Sequence, residues 1–167
     1  VSATGYIKRV PADTYHTQRR GGVGVIGMQT KEQDYVQHLL TASTHSYILF
    51  FTNRGRMHWL KVYEIPEGGR TGRGKALVNL LELEPDELVR AMIAVDEVDV
   101  PDQYVVMATA NGLVKKSALR QFRHLRRRGI IAVALEDGDD LIDARLTDGN
   151  QEILLSSQNG MVVRFKE

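Results

Sequence analysis

No cysteine occurs in the 167 residues. That excludes disulfides, thiolate metal sites and a cysteine nucleophile, and it fits a reducing compartment such as the cytoplasm. No apolar run approaches the roughly 18 residues that a membrane-spanning helix needs, so no membrane partner is expected. The opening residues lack the basic-then-apolar order of a secretory signal. No GxxxxGK[ST] loop is present, so ATP binding by this chain is not expected. The histidines at 16, 38, 45, 58 and 124 show no ligand-pair spacing backed by carboxylates. Asp137, Asp139, Asp140 and Asp143 crowd together without the twelve-residue calcium loop and its closing glutamate. No metal and no cofactor is expected. Spacing alone leaves open a carboxylate pair brought together across strands, but no residue is singled out as catalytic. Net charge is nearly absent too, at +1.

The charge that is present is ordered. Hydrophobic content of 43% and charged content of 26% suit one globular domain able to bury a core. Residues 1–75 carry 11 Lys/Arg against 5 Asp/Glu, and residues 76–100 carry 1 against 7. Residues 101–135 carry 7 against 1, and residues 136–152 carry 1 against 7. Folding can gather the basic blocks of such an alternation on one surface.

The alternation follows a repeat. A strand-like run ending in a turn glycine occurs as Tyr47 to Gly55, Tyr104 to Gly112 and Glu152 to Gly160, and Thr4-Gly5 begins in the same way. After each glycine comes a strand carrying basic residues: Lys8 and Arg9, Arg56 and Lys61, Lys115 and Lys116, Arg164. Downstream lies a basic glycine loop, Arg20 to Gly24, Gly72 to Lys75 and Arg127 to Gly129. An apolar strand is expected at Val36 to Leu40, Leu88 to Val95 and Leu141 to Leu146. Asn-Gly at 111–112 and 159–160 predicts type I′ hairpin turns. Pro85 predicts a turn in 83–88, and Lys115 to Phe122 has room for one helical turn. Four-stranded units of about 50 residues, with boundaries near 1–54, 55–111, 112–159 and 160–167, predict an all-β, propeller-like array. Phe50, Phe51, Trp59 and Phe122 are assigned to its core.

The heptapeptide Gln18-Arg19-Arg20-Gly21-Gly22-Val23-Gly24 joins two planar guanidinium forks to a glycine-rich turn. Such a loop suits a polyanion, because arginine matches phosphate oxygens and glycine lets a surface come close. Duplex DNA, read through its phosphates and largely without regard to sequence, is the expected partner, and nothing here suggests a recognition helix. Contacts are expected from the heptapeptide and from Lys8, Arg9, Arg54, Arg56, Arg70, Arg73, Lys75, Lys115, Lys116, Arg126, Arg127 and Arg128. The acidic connections are expected to lie off the DNA path.

These residues carry a family resemblance. The heptapeptide resembles the signature box of the C-terminal domain of the DNA gyrase A subunit, part of a type IIA topoisomerase. Asn53 to Arg56, Lys61 to Tyr63, Val78 to Leu81, Met107 to Lys116 and Gly160 to Lys166 extend the resemblance over nearly the whole chain. It implies a β-pinwheel, whose blades exchange strands, here about three blades and the start of a fourth from the first half of the domain. It implies a non-catalytic domain that wraps DNA to permit negative supercoiling. Partners in an ATP-hydrolysing holoenzyme would be the rest of the A subunit together with the B subunit, in a bacterial cytoplasm. Val23 departs from the box, which usually has a basic residue there, so this box offers two cations. The length is expected to reflect a fragment or an open half-disk. Two other readings stand beside this one: the C-terminal domain of the topoisomerase IV A subunit, and a propeller-type scaffold for an acidic protein. Clustering of the basic loops on one edge favours DNA.

Overall fold

The structure, a computed structural model, describes residues 1–14, 20, 22, 27–28, 34–69 and 71–167. Its strands run in chain order β1 (Tyr6–Ile7), β2 (Tyr47–Thr52), β3 (Arg56–Lys61), β4 (Lys75–Ala76), β5 (Val89–Val95) and β6 (Tyr104–Thr109). They continue as β7 (Val114–Ala118), β8 (Ile130–Ile131), β9 (Leu141–Thr147), β10 (Glu152–Ser156) and β11 (Val162–Lys166). Helical pieces among the described residues are short 3-10 turns, including Leu119–Phe122 where one turn was expected. The all-β architecture follows from short β-rich segments cut by glycines.

Each hairpin is local, but its sheet is not. The most complete sheet has the order β5-β2-β3-β8, all antiparallel. Its fourth strand, β8, comes from beyond the next hairpin and pairs Met57 with Ile130 and Arg56 with Ile131. The same exchange joins β4 to β1, pairing Ile7 with Lys75 and Tyr6 with Ala76. A third sheet has the order β7-β6-β9, and β10 pairs with β11.

The central strand β2 is buried on both faces, which explains its nearly continuous apolar run. Side chains alternate across a strand, so Leu49 and Phe51 enter one core while Ile48 and Phe50 enter another. The first core lies against the third sheet and includes Val105, Met107, Leu119, Phe122 and Leu141. Phe51 meets Phe122 edge to face at 6.1 Å. The second core takes in Ile7, Val62, Ile65, Leu77 and Leu81. Each fully buried Leu or Phe contributes on the order of 2 kcal/mol. Trp59 differs from its assignment: it is only partly buried and packs on the first core, edge to face with Tyr47.

Two expectations are corrected. The turns are not type I′, which needs positive φ at both central residues. Arg54, Asn111 and Asn159 do not have it, and the positive φ falls on Gly55, Gly112 and Gly160. In each hairpin the glycine N–H donates to the carbonyl three residues back: Gly55 to Thr52, Gly112 to Thr109, Gly160 to Ser157, and likewise Gly5 to Ser2. These are three-residue loops closed by a left-handed glycine. The second correction concerns Val36 to Leu40, where strand pairing reduces to one bridge, Ser2 with Val36. Beyond that bridge the segment turns its backbone toward a single carbonyl, that of Val1, which accepts from the Gln37 and His38 N–H groups at 2.9 and 3.0 Å.

Gly55 and Gly112 share a conformation but not surroundings. A Cβ on Gly55 would lie 2.3 Å from the Val133 carbonyl oxygen, whereas one on Gly112 would meet nothing within 4 Å. Gly112→Ala is therefore expected to cost about 1–2 kcal/mol, the left-handed strain alone. Gly55→Ala should cost about 3 kcal/mol or more, because a backbone carbonyl must also move. Urea unfolding of the two variants measures this, and equal losses would contradict it.

Candidate nucleic-acid interface

The basic loops sit where strand exchange puts them. In the loop ending at Gly74, a Cβ would lie 2.3 Å from the Ile7 carbonyl oxygen. In the loop ending at Gly129, a Cβ would lie 2.9 Å from the Met57 carbonyl oxygen and 2.8 Å from the His58 ring. Both glycines have positive φ. Each loop thus seats on the strand that follows the preceding hairpin, at the same point of two consecutive sheets. Arg73, Lys75 and Arg126 to Arg128 sit there, all five exposed.

The candidates are held in different ways. Arg56 donates to the Arg128 carbonyl and so ties the second loop to β3. Lys8 Nζ donates to the Gly69 carbonyl at 2.8 Å, and Lys75 pairs opposite Ile7, one residue before it. Arg73 lies over the Tyr6 ring at 5.6 Å. Lys115 Nζ reaches the Ala132 carbonyl at 2.8 Å, beside the second loop. Arg9 is spent on the Ile65 carbonyl and Glu67, and Arg54 on the Pro85 carbonyl. Lys116 points away from Lys115, as successive strand residues must, and rests over Tyr104, 3.5 Å from Glu167. It is not brought to the loops. Arg20 and Gly22 are exposed, while Gln18, Arg19, Gly21, Val23, Gly24 and Arg70 lie outside the described residues.

Arg120 and Arg123 were not singled out from the sequence. Both are exposed in the 3-10 turn and its cap, leading into the second basic loop. Together with Arg126 to Arg128 they make five arginines within 120–128. The basic block of residues 101–135 was the signal for them.

The acidic connections have a structural task. Three residues before each turn glycine stands a hydroxyl: Ser2, Thr52, Thr109 and Ser157. In three hairpins a carboxylate from the following connection binds the turn. Asp34 accepts from the Thr4 hydroxyl at 2.7 Å and from the Thr4 and Tyr35 N–H groups at 3.0 Å. Glu87 accepts from the Thr52 hydroxyl at 2.6 Å and from the Glu84 N–H at 2.9 Å, with His58 Nε2 at 3.3 Å. Asp139 accepts from the Asn111 N–H at 3.0 Å and the Asp140 N–H at 2.9 Å, with Thr109 as a further donor. Burial opposes ionisation of Asp34 and Glu87, but the hydrogen bonds outweigh it and hold both below the usual carboxylate range. The Thr109 hydroxyl, with backbone N–H groups, does the same for Asp139. The expectation that acidic connections stand clear of the basic loops needs amending in one place: Glu82 lies 3.8 Å from Arg128, both exposed.

Among the described residues no cluster of three or more His, Asp or Glu could hold a metal ion, and no helix is long and apolar enough to cross a membrane.

Stacked antiparallel sheets that trade an edge strand with the neighbouring repeat define a propeller-like array of the β-pinwheel class, here with a basic loop at the same site in successive units. A family model described as the DNA gyrase C-terminal domain, beta-propeller, matches residues 1–43, 46–96, 103–148 and 151–167. The chain belongs to that family. It is 45% identical over 163 residues to the DNA gyrase A subunit of Clostridium acetobutylicum, covering 98% of this chain and 20% of that protein. It is 47% identical over 167 residues to the DNA gyrase A subunit of Staphylococcus aureus strain MRSA252, covering 100% and 19%. The chain thus spans about a fifth of the length of these relatives. The solved C-terminal domain of DNA topoisomerase IV superposes with a TM-score of 0.80 at 26% identity, over 99% of this chain and 50% of that one. The solved DNA gyrase A C-terminal domain superposes at 0.75 with 21% identity, over 98% and 52%, a likeness of fold.

A carboxylate held below its ordinary pKa adds stability that is complete above the unfolded value and lost as pH falls through the folded one. Asp34, Glu87 and Asp139 should therefore make the fold fail on the acid side, starting near the ordinary carboxylate range of about pH 4–5 and continuing below it. Thermal unfolding between about pH 7 and pH 3 measures the effect. Asp139→Asn should lower the melting temperature at neutral pH and flatten its fall toward the acid end; a parallel curve would mean that this carboxylate is not linked to folding.

Proposed function

We propose that this chain binds duplex DNA and bends it around the edge formed by its basic loops, as a non-catalytic part of a gyrase A subunit. The observation that carries this reading is the recurrence of one placement. Loops 73–75 and 126–128 dock on equivalent strands of consecutive sheets, each through a left-handed glycine. A line of such loops along an array offers a curved track of cations to a polymer with one charge per about 1.7 Å of axis. Bending stiff duplex costs on the order of several kcal/mol per 20–30 base pairs. Many phosphate contacts spread along the track can offset that, where a single site cannot. The heptapeptide 18–24 adds its arginines to the same task.

Nothing in this reading requires base contacts, so sequence preference is expected to be slight. The wrap would let the rest of the gyrase A subunit, with the B subunit, introduce negative supercoils in the cytoplasm. Identity of 45% and 47% to gyrase A proteins over 98% and 100% of the chain supports the gyrase reading.

The test is topological. The chain is incubated with relaxed plasmid, a nicking-closing enzyme is added, protein is removed and topoisomers are resolved. A linking-number shift that grows with protein supports wrapping. Absence of DNA binding even at low salt would refute the reading and favour a scaffold for an acidic protein. Replacing Arg126, Arg127 and Arg128 with Ala should weaken binding to all sequences alike. The slope of log affinity against log salt should fall by about 0.9 for each phosphate no longer neutralised. An unchanged slope would remove those arginines from the interface.

A further inference from the structure

Glu87 and His58 have no exposed side-chain surface at all, yet His58 lies against the arginine loop and Glu87 stands directly behind it. Glu87 holds Thr52, the residue that opens the second hairpin turn, and stands 3.3 Å from His58 Nε2. The far side of that hairpin holds the loop. The Gly55 carbonyl accepts from the N–H groups of Ala132 at 2.9 Å and Val133 at 3.1 Å. Arg56 grips the Arg128 carbonyl. Gly129 lies so close to the His58 ring that a Cβ there would come within 2.8 Å of it. Two routes therefore run from one buried carboxylate to residues 126–133. One passes through Thr52 and the turn to Gly55, and the other passes through the His58 ring.

His58 occupies the place, three residues after the turn glycine, that Lys8 and Lys115 hold in the neighbouring hairpins. Those lysines reach backbone carbonyls, of Gly69 and Ala132. Lys8 lies against Gly74 much as His58 lies against Gly129. A flat ring with one nitrogen on Glu87 fits beneath the glycine. A buried polar pair of this kind is weak evidence for stability, since desolvation cancels much of its attraction. Its value lies in fixing one geometry.

We propose that Glu87 is a positioning residue for the arginine loop of the next repeat, acting through Thr52 and His58 and touching no DNA itself. This rests on the DNA-binding reading above and adds to it the residue that aims the loop. The loop lies so close to the His58 ring that a side chain at 129 would strike it, and among the described residues the ring's remaining nitrogen, Nδ1, has no hydrogen-bond partner.

The whole chain is used for the test, with Glu87→Gln, the gentler Glu87→Asp, and Ile93→Val as a control. Ile93 packs in the first core, so its truncation destabilises the same sheet without touching the route. All three are compared well below their melting temperatures. Two readouts are taken: hydrogen exchange at the Ala132 and Val133 amides, and the salt dependence of binding to a duplex of arbitrary sequence. The expected result is exchange roughly tenfold faster or more in Glu87→Gln, with the salt slope lower by about 2, as when two phosphates are no longer neutralised. Glu87→Asp should fall between parent and Glu87→Gln, and Ile93→Val should leave both readouts at the parent value. If Glu87→Gln does not fold, Glu87→Asp carries the same comparison. Parental exchange at Ala132 and Val133 in the folded Glu87 variants overturns the positioning role, as does an equal change in Ile93→Val. Faster exchange with an unchanged slope supports the positioning role and instead overturns the assignment of this loop to DNA.

Discussion

The pairing of Met57 with Ile130 and of Arg56 with Ile131 joins segments more than seventy residues apart, and the placement of charge depends on it. A hairpin alone presents an open edge on β3. Strand exchange closes that edge with chain from the next repeat, so a repeat's basic loop is carried by the sheet of the one before. Two residues of pairing are few, and the loop is secured by close backbone approach as well. A side chain at 129 would strike the Met57 carbonyl and His58. Glycine is required there for space and for conformation together, and the same holds at Gly74 against Ile7. Contacts this distant in sequence are slow to form, since loop closure must precede them. Docking of the basic loops is therefore expected late in folding.

Exchange also explains how a chain with a net charge of +1 keeps a cationic edge. Its acidic blocks are not only counter-charge. Asp34, Glu87 and Asp139 serve as acceptors for turn hydroxyls and N–H groups. Carboxylates that accept several donors remain ionised at modest cost, and they replace the water that an exposed turn would bind. What remains outside, such as Glu82 beside Arg128, interacts through solvent and is worth little in itself. A phosphate with more negative charge and a closer fit would compete with it on favourable terms. The charge alternation thus has two parts, one structural and one held ready at the surface.

Much of this was legible in the sequence. The turn glycines at 5, 55, 112 and 160 marked the hairpins, because only glycine takes the left-handed conformation cheaply. The run Tyr47 to Thr52 marked a strand buried on both faces. The turn type was not legible, since Asn-Gly serves a type I′ pair and the end of a three-residue loop equally well. Trp59 was misjudged because bulk and apolarity do not say which face of β3 is covered. The acceptors Asp34, Glu87 and Asp139 were hidden within acidic runs, although the hydroxyl three residues before each glycine was a local cue. Strand pairing of Ile130 with Met57 has no local cue: period-2 alternation tells which face is buried but not which edge is met. Only the family resemblance implied exchange.

Curvature is where these constraints meet. A polyanion bent around an array responds to the angle between successive cation clusters more than to any single contact, because bending energy grows with the total angle imposed. That angle is set by how each sheet stacks on the next. Here the stacking surface is a packed core of Leu49, Phe51, Val105, Met107 and Leu141, which does not deform continuously. The cation clusters ride on short loops outside that core, and loops alone would let arginine follow DNA instead of directing it. In the positioning role proposed for Glu87, contacts at Gly55, Gly129 and the Glu87–His58 pair would transmit the rigidity of the core to the charges. A buried carboxylate is a costly way to stabilise a sheet. It is a reasonable way to fix a loop if, as proposed, that loop holds its arginines at a set angle while a stiff polymer pulls on them.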